Sequence, residues 1–182
     1  ATSEIVETVT AVLTAYDGPV VVDPVMVAAT GDRLLTPAAE AAYEDLVARA
    51  TLVTPNVDEA EVLVDRTVET PTDAAAAGRR LVEWGADAAL VKGGHLDGGD
   101  DAAPEADGRA VSTVVDTLVI GDEAGGEPTV RRIENPRIAT DATHGSGCTL
   151  SSAIAARLAR GEPPAWATVE AVSEMHEAIR RG

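Results

Sequence analysis

Three short β-prone runs, Val20-Val21-Val22, Thr51-Leu52-Val53 and Ala88-Ala89-Leu90-Val91, alternate with longer stretches of helical period. A strand with no polar alternation is buried on both faces, and such strands alternating with helices specify an α/β fold whose mostly parallel central sheet is flanked by helices. Helices are expected over 3–16, stopped by Tyr16-Asp17-Gly18-Pro19, and over 37–49, with Thr36 as cap and Pro37 at the first position. Two more are expected from Asn56 through Glu59 to Val64, and over 72–84 with Thr72 or Asp73 as cap and Gly85 as stop. Val111 to Ile120 and Thr129 to Ile133 read as an antiparallel edge pair around a Gly-Asp-Glu-Ala-Gly-Gly turn. Helices over 147–160 and 163–179 close the pattern, and the acidic stretch from Leu96 to Gly108 reads as a mobile surface loop. With no repeat and no linker, residues 1–182 are expected to form a single domain.

Charge narrows the function classes. Thirty-one acidic and fourteen basic residues give a formal net charge of −17, with no basic run to meet nucleic acid. That field also opposes an anionic membrane, and it opposes ATP unless salt or magnesium screens it. Lys92 is the only lysine, and there is no Phe. A chain this acidic and this poor in aromatics reads as adapted to concentrated salt, the alternative being a merely acidic protein. One cysteine fits a reducing compartment, no apolar run is long enough to span a bilayer, and the expected location is the cytoplasm. The three histidines lack metal-ligand spacing, so zinc is not expected.

Asp23, Asn56 and Lys92 each follow the last apolar residue of an expected strand. Parallel α/β sheets bind ligands beyond the carboxyl ends of their strands, so the three are expected to face one crevice. Thr143-His144-Gly145-Ser146-Gly147-Cys148-Thr149-Leu150 puts glycines and a hydroxyl before an apolar, alanine-rich helix. The unpaired amides of a helix start, with the helix dipole behind them, suit a phosphate or a developing oxyanion. This turn follows a strand-like segment, Arg137 to Thr140, and so is expected to reach the same crevice. An anion-binding turn, one lysine and several carboxylates make an inventory for phosphoryl transfer.

In order along the chain stand Asp23-Pro24-Val25-Met26, Gly31-Asp32-Arg33-Leu34-Leu35, Thr54-Pro55-Asn56-Val57-Asp58-Glu59-Ala60, Lys92-Gly93-Gly94-His95 and the 143–150 turn. Together they closely resemble the hydroxymethylpyrimidine and phosphomethylpyrimidine kinases of thiamine biosynthesis, in the ribokinase-like superfamily. The resemblance runs from about Ile5 to Ile179. It implies an anion hole of Gly145, Ser146 and Gly147, and a catalytic Cys148 beside the substrate hydroxymethyl oxygen. It implies that Asn56, Glu59 and Asp23 organise Mg²⁺, partly through water, and that Lys92 neutralises nucleotide phosphates. Val25 and Met26 would line the pyrimidine pocket. ATP is the implied co-substrate and a small pyrimidine the implied acceptor, with no nucleic-acid or membrane partner and with homo-oligomerisation left open.

Each assignment has a plainer rival. Cys148 suits a small buried helix residue, Glu59 a solvated one, Asp23 a strand stop before proline, and Asn56 a helix cap. Lys92 stands out because a compact ammonium reaches a phosphate where a planar guanidinium does not fit. His95 and His144 read as loop-shaping or substrate-lining residues, and His176 as structural. Other functions in view are a pyridoxal kinase of the same fold, which more often carries aspartate where Cys148 stands, a non-catalytic nucleotide-binding module, and a hydrolase built on Cys148 and His144.

Two departures accompany the resemblance. The family's opening strand, glycine loop and pyrimidine-binding segment have no counterpart before Asp23, so the chain is expected to match the C-terminal portion of such a kinase. Ser146 stands where threonine is usual, and it retains the hydroxyl and the amide. If Cys148 accepts the substrate proton or holds the oxygen, Cys148→Ala should lower turnover at least about tenfold with little change in nucleotide affinity. Steady-state kinetics with and without the substitution check this, and unchanged turnover removes the catalytic role.

Overall fold

A computed structural model describes residues 2–26, 37–94, 112–122, 124–140 and 145–181, leaving aside the side chains of 37–40. The chain order is α1 (Ser3–Leu13), β1 (Val21–Val22), α2 (Pro37–Val47), β2 (Leu52–Val53), α3 (Val57–Val64) and α4 (Pro71–Glu83). β3 (Ala88–Val91), β4 (Thr113–Ile120), β5 (Thr129–Pro136), α5 (Ser146–Leu158) and α6 (Pro164–Arg181) follow. The expected helices and strands are present among these residues, except the strand-like segment at 137–140. The 96–108 loop lies outside the described residues.

The strands form one sheet in the order β1-β2-β3-β4-β5. The pairs β1–β2 and β2–β3 are parallel, and the longer pairs β3–β4 and β4–β5 are antiparallel. Two reversals leave β5 running with β1 to β3, so β4 alone opposes the common direction. β5 is mostly exposed and carries Arg131, Arg132 and Glu134, charges that blunt an open edge against further pairing.

Two details differ from the sequence expectation. The cap of α4 is Thr70, whose Oγ1 accepts the Asp73 amide at 3.2 Å while the Asp73 carboxylate accepts the Thr70 amide at 2.9 Å. Pro71, with no N–H to satisfy and a helix-ready φ, then takes the first helical position, upstream of the expected Thr72 or Asp73 cap. Residues 137–140 are not a strand. The Arg137 amide still donates to the Ser112 carbonyl at 2.8 Å, but β4 begins at Thr113 and provides no ladder beyond it.

Side chains alternate across the sheet and so sort into two cores. Val22, Val53 and Ala89 face one way, against Val6 of α1, Tyr43, Leu46 and Val47 of α2, Leu63 of α3 and Leu81 of α4. Leu52, Ala88, Leu90 and Leu118 face the other, against Leu150, Ile154 and Leu158 of α5 and Ala167, Ala171 and Val172 of α6. The result is a helix–sheet–helix sandwich, each layer burying one apolar stripe. Arg157 fastens α5 to the turn before α6 and to the middle of α6, with Glu162 at 2.8 Å and Glu174 at 2.6 Å. Nε2 of His176 on α6 lies 2.9 Å from the Pro136 carbonyl, a tie between helix and edge strand that fits its structural reading. Among the described residues no helix is long and apolar enough to cross a membrane.

Ile154 is fully buried in the core that seats α5 on the sheet. Ile154→Ala should therefore destabilise the fold by about 2–5 kcal/mol, read from urea unfolding. A loss below about 1 kcal/mol would show that this face does not hold α5 in place.

Candidate active site

The alternation that sorts the core also builds the site. Asp23, Thr54 and Lys92 lie two residues beyond Val21, Leu52 and Leu90, so all three project toward α5 from the carboxyl ends of β1, β2 and β3. An isolated parallel bridge between Asn56 and Lys92, and the Lys92 amide donating to Pro55 at 2.8 Å, carry the pairing of β2 and β3 past their apolar parts. Lys92 Nζ lies 3.0 Å from Asp23 Oδ1, with both side chains about five-sixths buried (16% and 17% exposed). Thr54 Oγ1 donates to the same oxygen at 3.2 Å or shares a hydrogen with Ser151 Oγ at 2.8 Å, and Ser151 Oγ lies 3.0 Å from the Gly147 carbonyl it can donate to.

This network sets the turn before α5 directly over the lysine. Gly145 is the N-cap with φ of 79°, a left-handed conformation that glycine adopts at little cost, and no side chain caps the helix. The leading amides of α5 have no acceptor within the helix and face outward from its start. A Cβ added at Gly147 would stand 3.1 Å from Lys92 Nζ, so the ammonium and this turn share one small space. Cys148 lies in the first helical turn and is exposed, contrary to a buried packing role. Ser146 is half-buried beside it.

Asn56 and Glu59 form a reciprocal capping box on α3: the Glu59 amide donates to Asn56 Oδ1, and the Asn56 amide to Glu59 Oε2, each at 2.8 Å. Glu59 is buried at 3% exposure, so it is no solvated surface residue. Burial raises its pKa above the ordinary 4.5, the Asn56 hydrogen bond and Lys92 oppose that rise, and Asp23 adds to it. Both carboxylates already have one oxygen engaged, and among the described residues no group of three His, Cys, Asp or Glu is placed to hold a metal. A magnesium ion that keeps most of its waters would have to be held through the remaining oxygens of Asp23 and Glu59. Val25 is exposed, whereas Met26 is fully buried in the core against α1 and α2. Thr143, His144, His95 and the 31–35 motif lie outside the described residues.

The family model for phosphomethylpyrimidine kinase matches residues 1–182. The chain belongs to this family. It is 42% identical over 161 residues to a hydroxymethylpyrimidine/phosphomethylpyrimidine kinase of Rhizobium meliloti, covering 87% of this chain and 53% of the relative. The solved phosphomethylpyrimidine kinase of Clostridium difficile superposes with a TM-score of 0.71 at 30% identity, covering 97% of this chain and 64% of that one. A pyridoxal kinase of Staphylococcus aureus in complex with AMP-PCP superposes with a TM-score of 0.80 at 30% identity, covering 98% and 59%. The chain thus spans about half the length of the first of these relatives.

Four residues join this family site that the motifs did not single out. Thr54 and Ser151 are the hydroxyl pair linking β2 to α5. Tyr43 is buried in the core with Leu46 and Val47, and burial followed by Glu59 and Asp23 raises its phenol pKa. Asp116 on β4 accepts the Gly93 amide at 2.7 Å, and burial raises its carboxyl against the opposing effects of that bond and of Lys92. Thr54 opens the 54–60 motif, and Asp116 left a signal as a lone charge within the apolar run Val114 to Ile120, whereas Ser151 and Tyr43 left none.

A carboxyl whose folded pKa is raised holds its proton longer when folded. Its contribution to stability is fullest below the unfolded value and is lost as pH climbs from 4.5 through the raised folded value. Glu59→Gln retains an acceptor oxygen for the Asn56 amide and carries no charge. Thermal unfolding across pH should find the variant losing less stability than wild type above pH 4.5. A variant less stable than wild type at neutral pH would show instead that Lys92 holds this carboxylate favourably charged.

Proposed function

We propose that this chain supplies the phosphoryl-transfer site of an ATP-dependent kinase acting on hydroxymethylpyrimidine, its monophosphate or both, in thiamine diphosphate biosynthesis. The carrying observation is the meeting of Lys92, Asp23 and Gly147 at the start of α5. Family membership supports the substrate class.

Phosphoryl transfer passes through a loose, charge-rich transition state, so positioning and neutralisation count for more than covalent chemistry. Lys92 provides a compact cation for the nucleotide phosphates, and Asp23 keeps it aimed along the sheet edge until they arrive. The amides around Gly145, Ser146 and Gly147 receive the equatorial oxygens as charge moves. Cys148, exposed in the same turn, takes the substrate hydroxyl proton or holds its oxygen. Magnesium, when bound, would neutralise phosphate charge, with Asp23, Asn56 and Glu59 holding its waters. The family resemblance assigns Val25, which is exposed, and Met26, which is buried in the core, to the pyrimidine pocket, Met26 as packing support. A cytoplasmic, salt-adapted setting belongs to the same reading and rests on the single cysteine and the charge of −17.

A second reading, pyridoxal kinase, is favoured by the pyridoxal kinase superposition at a TM-score of 0.80. Against it stand the family match and the cysteine. The deciding experiment offers hydroxymethylpyrimidine, its phosphate and pyridoxal in parallel to the chain. Mg²⁺-ATP in molar potassium chloride and product masses complete it. Pyrimidine phosphates are the expected products. Pyridoxal phosphate alone would replace this reading with the second, and nucleotide affinity without any product would mark a binding module.

A further inference from the structure

Asp116 is the one charged side chain on β4, within a strand otherwise apolar or hydroxylic. Val91 pairs with Thr117, so the antiparallel register extended by one residue sets Lys92 opposite Asp116. Leu118 faces α5 and α6, and Asp116, two residues away, shares that side of the sheet with Lys92. Its Oδ1 accepts the Gly93 amide at 2.7 Å. Gly93 is itself pressed onto β4: it is buried, and any Cβ there would collide with the Val115 carbonyl. The β3 chain thus leaves the sheet through a clamp, with β4 backbone on one side of Gly93 and the Asp116 carboxylate on its amide. Lys92 is the residue immediately before the clamp, and its own amide is tied to Pro55 on the opposite side.

We propose that Asp116 is a positioning residue that acts through the Gly93 amide to fix the exit of β3, and so holds Lys92 in the orientation that meets Asp23 and the α5 turn. A lysine side chain has four rotatable bonds, and its reach is defined only if its Cα–Cβ direction is defined. Here two hydrogen bonds on adjacent amides, Lys92 to Pro55 and Gly93 to Asp116, set that direction from both neighbouring strands. The role needs an acceptor oxygen at this position and does not need its charge. The catalytic consequence rests on the kinase reading above, while the positioning itself does not.

Because Lys92 is the only lysine, the chain grown with labelled lysine gives a single side-chain NMR signal. Asp116→Asn retains an acceptor oxygen for the Gly93 amide, and Asp116→Leu fills similar space without one. Wild type and Asp116→Asn should show a protected Gly93 amide, whereas Asp116→Leu should exchange it at least about tenfold faster. On addition of Mg²⁺-ADP the lysine signal should move alike in wild type and Asp116→Asn, and lose most of that displacement in Asp116→Leu. In kinetics, Asp116→Leu should raise the KM for ATP more than it lowers kcat, with Asp116→Asn near wild type. An Asn variant as impaired as the Leu variant would overturn the proposal in favour of a charge effect on Lys92. An unprotected Gly93 amide in wild type would overturn it outright. If Asp116→Leu does not fold, Asp116→Asn alone decides, by keeping or losing the Gly93 protection and the lysine displacement. A wild-type lysine signal indifferent to Mg²⁺-ADP would count against the kinase reading, and the Gly93 exchange comparison would still decide the positioning claim.

Discussion

The contact between Lys92 and Asp23 organises this molecule around its site. It reaches from β3 to β1 over the intervening β2, and Thr54 of β2 meets the same carboxylate oxygen. Three strand ends are thereby joined by one largely buried ion pair. Such a pair contributes little net stability, because desolvation offsets its attraction, yet losing either partner would strand a buried charge. Its value lies in geometry, since it holds an ammonium under the turn of Gly145 to Gly147.

Everything that surrounds this contact follows from a sandwich whose two faces bury different helices. The face carrying Leu52, Leu90 and Leu118 seats α5, and each step of two residues toward the strand ends exchanges an apolar side chain for a polar one. The same helix that completes the apolar core therefore presents its N-terminus to the polar row. Core packing and the glycine turn occupy consecutive turns of α5, joined by Ser151, which reaches Thr54 on the sheet and the Gly147 carbonyl in its own helix.

Acidic residues have two distinct placements. Among the described residues most acidic side chains are exposed, where they bear on solubility and long-range repulsion. Asp23, Glu59 and Asp116 instead sit within the fold around the lone lysine, each with a hydrogen bond that fixes one oxygen. Glu59 shows how one residue serves two ends: its bond to the Asn56 amide starts α3, and the same bond turns a buried carboxylate toward the site.

Much of the architecture was legible in the chain alone. Short apolar runs ending at Asp23, Asn56 and Lys92, and the Gly-Ser-Gly-Cys turn before an alanine-rich helix, are local patterns read by strand burial and helix capping. They determined the α/β alternation, the site motifs and the edge hairpin. Boundaries were less legible, as at Thr70, because two hydroxyl residues flank Pro71 and only the hydrogen bonds choose between them. What tertiary structure alone decided was partnership. That Lys92 meets Asp23 across 69 positions, that Thr54 meets Ser151 across 97, and that Asp116 holds Gly93 depend on register and on which sheet face each helix covers. Register and facing are fixed by packing of the whole core, so no local window of sequence carries them.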